Sequence, residues 1–196
     1  VLAFNNAKGL FSDENLRQAV SYALNYEEFK TYFGSAYAEI PNRGFVPSTT
    51  VGYTDTEKLT TDTAKADEYM KAAGYTEKNA DGFYVNADGA AAAFTLTVNA
   101  AKETHVGYAE MIKTQLEAFG IQVNLDAVDK DAYNAKTSNK FSENNITMEA
   151  AIYGYTAAGM GMGNGLGSIY VDGNHAVQGG CQAFLHSGRT EGRQDH

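Results

Sequence analysis

Residues 2–33 read LAFNNAKGLFSDENLRQAVSYALNYEEFKTYF, and this stretch decides how the rest of the chain is understood. It opens as a short strand, passes through a loop and turns into two helices in quick succession. Asp13 stands where a helix cap belongs. Leu16, Ala19, Val20 and Ala23 follow at helical spacing, with Arg17 facing the other way. Asn25 caps the second helix, whose first turn carries Glu27 and Glu28, where the helix dipole favours acids. Gly34 supplies the stop. Local physics gives a strand and a helix–cap–helix unit, and no function.

Downstream, residues 35–58 contain both prolines, Pro41 and Pro47, with Gly44 and Gly52, and predict an extended crossing loop. Asp62 or Thr63 caps a helix from Ala64 to Ala73, with Ala66, Tyr69, Met70 and Ala73 as its apolar stripe and Gly74 as its end. Gly82 to Asn86, the turn at Asp88-Gly89, and Ala93 to Asn99 read as a β-hairpin. Phe94, Leu96 and Val98 alternate with Thr95 and Thr97, which predicts one buried face. A helix from His105 to Phe119 presents Met111, Ile112, Leu116 and Phe119 to the core and stops at Gly120. Ile121 to Val128 reads as a strand. Asp129 caps a helix to about Lys140 that carries Ala132, Tyr133 and Lys136, and Thr147 to Tyr153 reads as a last strand. Strand–helix–strand–helix–strand from Ala93 to Tyr155 is the pattern of an α/β domain with right-handed crossovers. From Gly159 the chain is Gly-rich and aperiodic and ends in a polar tail. Residues 1–158 are therefore expected to form the domain, and 159–196 to be loop, partly disordered or vector-derived.

The chain has 196 residues, enough for one domain with a real core. Its hydrophobic content of 43% and charged content of 20% are those of an ordinary globule. A net charge of −9 argues against nucleic acid or an anionic membrane as partner. No apolar run approaches the ~20 residues of a membrane helix. Val1 falls inside a strand-like segment, so no signal peptide is read there; a mature chain and an excised one look alike in this respect. Cys181 is the single cysteine and has no metal-site spacing around it. His105, His175, His186 and His196 have no ligand spacing either, and no cofactor is expected. The glycines of residues 159–165 lack the Lys-Ser/Thr and helix context of a phosphate loop. Asp129 and Asp131 read as helix-start acids, not as an acid/base pair.

The wording of several blocks resembles a known family. "FN" followed by "D…LRQAVSYALNYEEF", then "KADEYMKAAGY…DG", "TLTVN…GIQVNLDAVD" and "MEAAIYGY", occur in order and with family-like spacing. Together they are similar to the bacterial extracytoplasmic solute-binding proteins of peptide-type ABC importers, the oligopeptide- and dipeptide-binding family. The resemblance runs from Leu2 to Tyr155. It implies a mixed sheet flanked by helices, forming the second, ligand-binding lobe of a type II periplasmic-binding-protein-like clamp, with the first lobe built from sequence outside this stretch. It further implies a monomer that captures a peptide or similar small solute outside the cytoplasmic membrane, in a periplasm or on a lipid-anchored surface, and delivers it to an ABC permease. No bond is made or broken. Nickel complexes, haem, sugars and opines are other solutes carried on this scaffold.

The resemblance also points to site residues. The loop after Val98 offers Asn99, Thr104 and His105, where oligopeptide-binding relatives place a ligand-contacting His. The last strand ends Tyr153-Gly154-Tyr155, and Tyr155 matches the family's pocket Trp, a fair replacement as a stacking surface. The Asp that receives a peptide's α-amino group in relatives is replaced by Ala158, which widens the range of solutes. Arg43 is a candidate partner for an anionic ligand, and Lys130 stands where a pocket Trp can occur. Each has a plainer reading: an exposed helix-start His, an aromatic capping the sheet end, a surface Arg, a solvated Lys. Two rival functions are an enzyme, for which the sequence offers neither nucleophile–base pair nor metal cluster, and a sensory module that reuses the same lobe.

Overall fold

The opening forms as its residues require. The computed structural model describes residues 1–7, 9–43, 53–137, 146–154 and 181–183. Strand β1 (Leu2–Asn5) leads through a 3-10 turn (Leu10–Ser12) to α1 (Glu14–Ala23) and α2 (Tyr26–Phe33). The Asp13 carboxylate accepts from Asn15 N at 2.7 Å, and Asn25 is bonded both to Glu28 N and, through its amide, to the Glu28 carboxylate. Such a reciprocal cap is worth about 1 kcal/mol. Gly34 ends α2 in the left-handed region at φ 69, as a stop glycine does. Arg17, off the apolar stripe, is half-buried, and its guanidinium donates to the Phe11 carbonyl at 2.6 Å, linking the 3-10 turn to α1.

The chain continues through α3 (Thr63–Ala72), β2 (Glu77–Lys78), β3 (Tyr84–Val85), β4 (Ala93–Asn99), α4 (Glu103–Phe119), β5 (Gln122–Val128), α5 (Lys130–Thr137), β6 (Ala150–Ile152) and β7 (Cys181–Ala183). The main sheet has the order β5-β4-β6-β1-β7. β4 pairs in parallel with β5 from Ala93↔Gln122 to Asn99↔Val128, and in parallel with β6 on its other side. β1 runs antiparallel between β6 and β7.

The expected hairpin forms only as a short rung before β4: Val85 pairs antiparallel with Ala91, Asn86 N donates to the Ala90 carbonyl at 3.0 Å and Ala92 N to the Tyr84 carbonyl at 2.7 Å. The turn exists, with Asn86 Oδ1 accepting from Asp88 N and Ala90 N. However, β3 pairs with β2, and β4 enters the parallel sheet. Alternation in β4 signalled one buried face, yet Thr97 is also buried. Its hydroxyl donates to Asp126 at 3.2 Å, and Asp126 in turn meets Lys136 of α5 at 2.5 Å. A threonine can be buried where its hydroxyl finds an acceptor. Cys181–Ala183, inside the segment expected to be loop, forms the edge strand β7. The rest of residues 159–196 lies outside the described residues.

Helices cover both faces. On one, α1 and α4 pack on the sheet around Phe4, Phe11, Phe94, Leu96, Val20 and Leu116, all buried. The Phe11 ring lies 4.1 Å from Phe4 and 4.7 Å from Phe94, the latter edge-on. On the other face α5 covers a smaller cluster of Ala3, Tyr133, Ile146, Met148 and Ala151. The β2–β3 ribbon covers the end of α4: Lys78 donates to the Phe119 carbonyl at 2.6 Å and stands 4.4 Å over the Tyr84 ring.

The aromatic triple is therefore predicted to dominate stability. Phe94→Ala is expected to cost about 3–5 kcal/mol, whereas Lys71→Ala, which removes an exposed i,i+4 pair with Asp67, costs about 0.5 kcal/mol or less. Urea unfolding followed by circular dichroism measures both; comparable losses would remove the triple from its central place.

Candidate functional site

Parallel pairing puts the carboxyl ends of β4, β5 and β6 on one edge, and α4 and α5 begin there. Antiparallel β1 starts at the same edge, with Leu2 opposite Ile152. The turn out of β4 is made by Asn99: its buried Oδ1 accepts from Ala101 N at 3.0 Å, and its carbonyl accepts from Lys102 N at 3.0 Å. Asp129 makes the equivalent turn into α5, accepting from Asp131 N and Ala132 N, each at 2.9 Å. α4 differs in having no side-chain cap at Lys102. Its first turn so presents uncapped amides and a positive dipole end to this edge.

Beside the edge opens a cavity of about 730 Å³, within the roughly 300–1,000 Å³ typical of small-molecule sites. Leu24, Ile112 and Ile152 line it from the sheet and its helices; Tyr26, Phe29 and Tyr108 supply aromatic walls. Residues 38–41 close another side. Burial pushes the Tyr26 phenol up to about 12, so it stays protonated and donates to the Ser21 carbonyl at 2.5 Å. Phe29 meets Tyr108 edge-on at 6.0 Å, and Tyr32 meets Tyr108 at 5.0 Å. The Tyr32 contact requires Gly107, because a Cβ there would collide with the Tyr32 hydroxyl.

The structure sorts the sequence-derived candidates. His105, Tyr153 and Gly154 line the cavity, and an added Cβ on Gly154 would lie 3.7 Å from the His105 ring. Asn99, Thr104 and Lys130 stand on the same edge outside the cavity wall, Thr104 and Lys130 exposed. Tyr153 turns its ring to α5: it lies 5.9 Å from Tyr133 and its hydroxyl donates to the Thr137 carbonyl at 3.0 Å. Arg43 is away from the cavity wall. Its guanidinium lies 4.0 Å over the Tyr22 ring and pairs with Glu57 at 3.4 Å. Tyr155 and Ala158 lie outside the described residues. The sequence did not flag Tyr26, Phe29, Tyr108 and Ile112 as a pocket, since they carry the same helical periodicity as core residues. Among the described residues no group of three or more His, Cys, Asp or Glu could hold a metal ion, and no helix is long and apolar enough to cross a membrane.

Residues 1–174 match the family described as bacterial extracellular solute-binding proteins, family 5 Middle. The chain belongs to this family. The oligopeptide-binding protein AppA of Bacillus subtilis is 26% identical over 136 residues, 67% of this chain and 24% of AppA. The structure of AppA in complex with a nonapeptide superposes with a TM-score of 0.67 at 24% identity, covering 79% of this chain and 30% of that one. DppA of Helicobacter pylori, solved with the peptide STSA, gives 0.65 at 24% identity over 84% of this chain and 28% of that one. MelB of Agrobacterium fabrum C58, solved with stachyose, gives 0.65 at 20% identity over 76% and 24%. These matched proteins are solute-binding proteins and not enzymes, and their fold is the type II periplasmic-binding-protein-like one expected from the sequence. The chain spans about a quarter of the length of the curated relatives it matches.

His105 gives the site a pH signature. Burial, then the Lys102 and Val1 ammonium charges, hold its imidazole below the usual value. A depressed histidine favours the neutral form on folding. Its contribution to stability is therefore full above the unfolded value of about 6.5 and is lost as pH falls through the lower folded value. His105→Gln is expected to flatten the decline in urea midpoint between about pH 7.5 and 5. An unchanged slope would show the ring to be solvated.

Proposed function

We propose that this chain is the ligand-binding lobe of a clamp that captures a peptide or similar small solute outside the cytoplasmic membrane for an ABC permease. The observation that carries this reading is the cavity opening on the carboxyl edge of the parallel strands, where open α/β sheets bind ligands. Family membership supplies the class of function. Asn99, Thr104, His105, Lys130 and Gly154 border the edge and would give the polar contacts, His105 and the uncapped start of α4 chief among them. Tyr155 follows this edge in sequence and is the proposed stacking surface, while Tyr153 borders the cavity. Arg43, packed on Tyr22, is a partner for a ligand anion only if it leaves Glu57. Closure of a second lobe over this edge would select the bound state, since a ligand touching both lobes binds the closed form better. The protein acts as a monomer in this scheme, in a periplasm or on a lipid-anchored surface.

The test is a ¹⁵N chemical-shift titration of the chain with pools of di- to pentapeptides. Saturable shifts are expected at Asn99, Thr104, His105, Lys130 and Gly154. His105→Ala should weaken them by about 2- to 10-fold, the worth of one hydrogen bond. Pools that leave this edge unmoved, or are chemically converted, would remove the capture reading.

A further inference from the structure

We infer that the cavity between α2, residues 38–41 and the start of α4 is a selectivity pocket for an uncharged apolar group of the solute, an aromatic or branched aliphatic side chain. The inference rests on the capture reading above and names the chemistry that reading leaves open.

The composition of the wall carries it. Among the described residues that line the cavity, none is Asn, Gln, Ser, Thr, Asp or Arg. A polar guest would lose its water there and find few partners, which costs about 1–3 kcal/mol for each unpaired group. The Tyr26 hydroxyl does not help such a guest, because it is already bonded to Ser21. The charged side chains of the wall, Lys30 and Glu39, are exposed and so lie at its solvent side, and the Val1 ammonium that also borders it donates to the Tyr153 carbonyl at 2.9 Å. Phe33, 58% exposed, extends the apolar surface to solvent. His105 marks the opposite limit, where the cavity meets the carboxyl edge. A solute whose polar backbone lies along that edge would reach the cavity with one apolar branch. Transfer of such a branch from water is favourable at roughly 25 cal/mol per Å², whereas an oligosaccharide or a charged chelate gains little.

Three probes isolate the pocket from the edge: N-acetyl-L-phenylalanine amide, N-acetyl-L-leucine amide and N-acetylglycine amide, with raffinose as the polar control. In ¹⁵N titrations of the whole chain, the phenylalanine and leucine probes are expected to shift Leu24, Phe29, Ile112 and Ile152. They should bind at least tenfold more tightly than the glycine probe and raffinose. Ala38→Phe, a change in the loop that places a ring in the cavity, should abolish those shifts while the remaining spectrum stays folded; Phe33→Ala, at the mouth, should weaken them. Equal response to the glycine probe, or shifts that persist in a folded Ala38→Phe protein, would overturn the inference. If peptides move Asn99, Thr104 and Lys130 while no probe moves the cavity residues, the pocket falls and the capture reading stands. If nothing moves either set, both fall.

Discussion

β4 is enclosed on every side, and the rest of the domain is arranged by that fact. Its seven residues pair in register with β5 along one edge and meet β6 on the other. Phe94, Leu96 and Val98 face α1 and α4, while Thr97 is buried under α5. A strand in that position needs every backbone group paired, because an unmet amide away from water costs as much as a lost hydrogen bond. Glu149 shows how completely this is met: its carboxylate accepts from Thr95 N at 2.7 Å, and its own carbonyl receives Asn5 N at 2.8 Å. One side chain thus ties the entry of β6 to β4, while the backbone of the same residue holds β1.

The direction of β4 then fixes where ligand chemistry is possible. Three parallel strands require helical returns, so the helix starts collect on the edge where the strands end. The same edge receives the beginning of β1, because β1 runs against β6. Polar turns at Asn99 and Asp129, the uncapped first turn of α4, and the half-buried His105 gather there without any residue having been drawn from far away in the sheet. The smaller apolar cluster under α5 keeps Tyr133 and Tyr153 on the opposite face, where their hydroxyls hold the Ile152 and Thr137 carbonyls. That division explains why Tyr153 reaches the site with its backbone edge while its ring serves the far core.

Much of this was legible in the residues. Capping side chains and stop glycines act within a turn, so Asp13, Asn25, Gly34 and Gly120 mark the helices from local sequence alone. The family wording carried the fold class further than periodicity could. What was not legible depends on partners distant in the chain. Asp88-Gly89 makes a turn whichever strand follows, so it could not reveal that β4 would leave the hairpin for a parallel sheet. Thr97 looked like a solvent-facing residue because its acceptor, Asp126, comes from β5. The partner of Arg17 was not legible either, because the Phe11 carbonyl that receives it is presented by a turn and not by its own helix. The cavity was hidden for a related reason: Tyr26, Phe29, Tyr108 and Ile112 obey the periodicity of a filled core.

That cavity persists because its walls are fixed from outside it. α2 is tied to α4 by Gln115, which accepts from Asn25 N at 3.0 Å and donates to Glu28 at 2.7 Å. The far wall, residues 38–41, continues into a short ladder in which Leu59 N reaches the Pro41 carbonyl at 3.0 Å and Arg43 N reaches the Glu57 carbonyl at 2.7 Å. Asn42 adds side-chain bonds to Tyr53 and Asp55. Close-packed interiors normally collapse around a missing side chain, and the part that cannot collapse is what costs energy. Here the two walls are held by polar contacts at their ends, so the apolar residues between them cannot close the gap without breaking bonds that lie outside it. A pocket held open in this way loses little conformational freedom when an apolar group enters, which is the condition under which burial converts most directly into affinity.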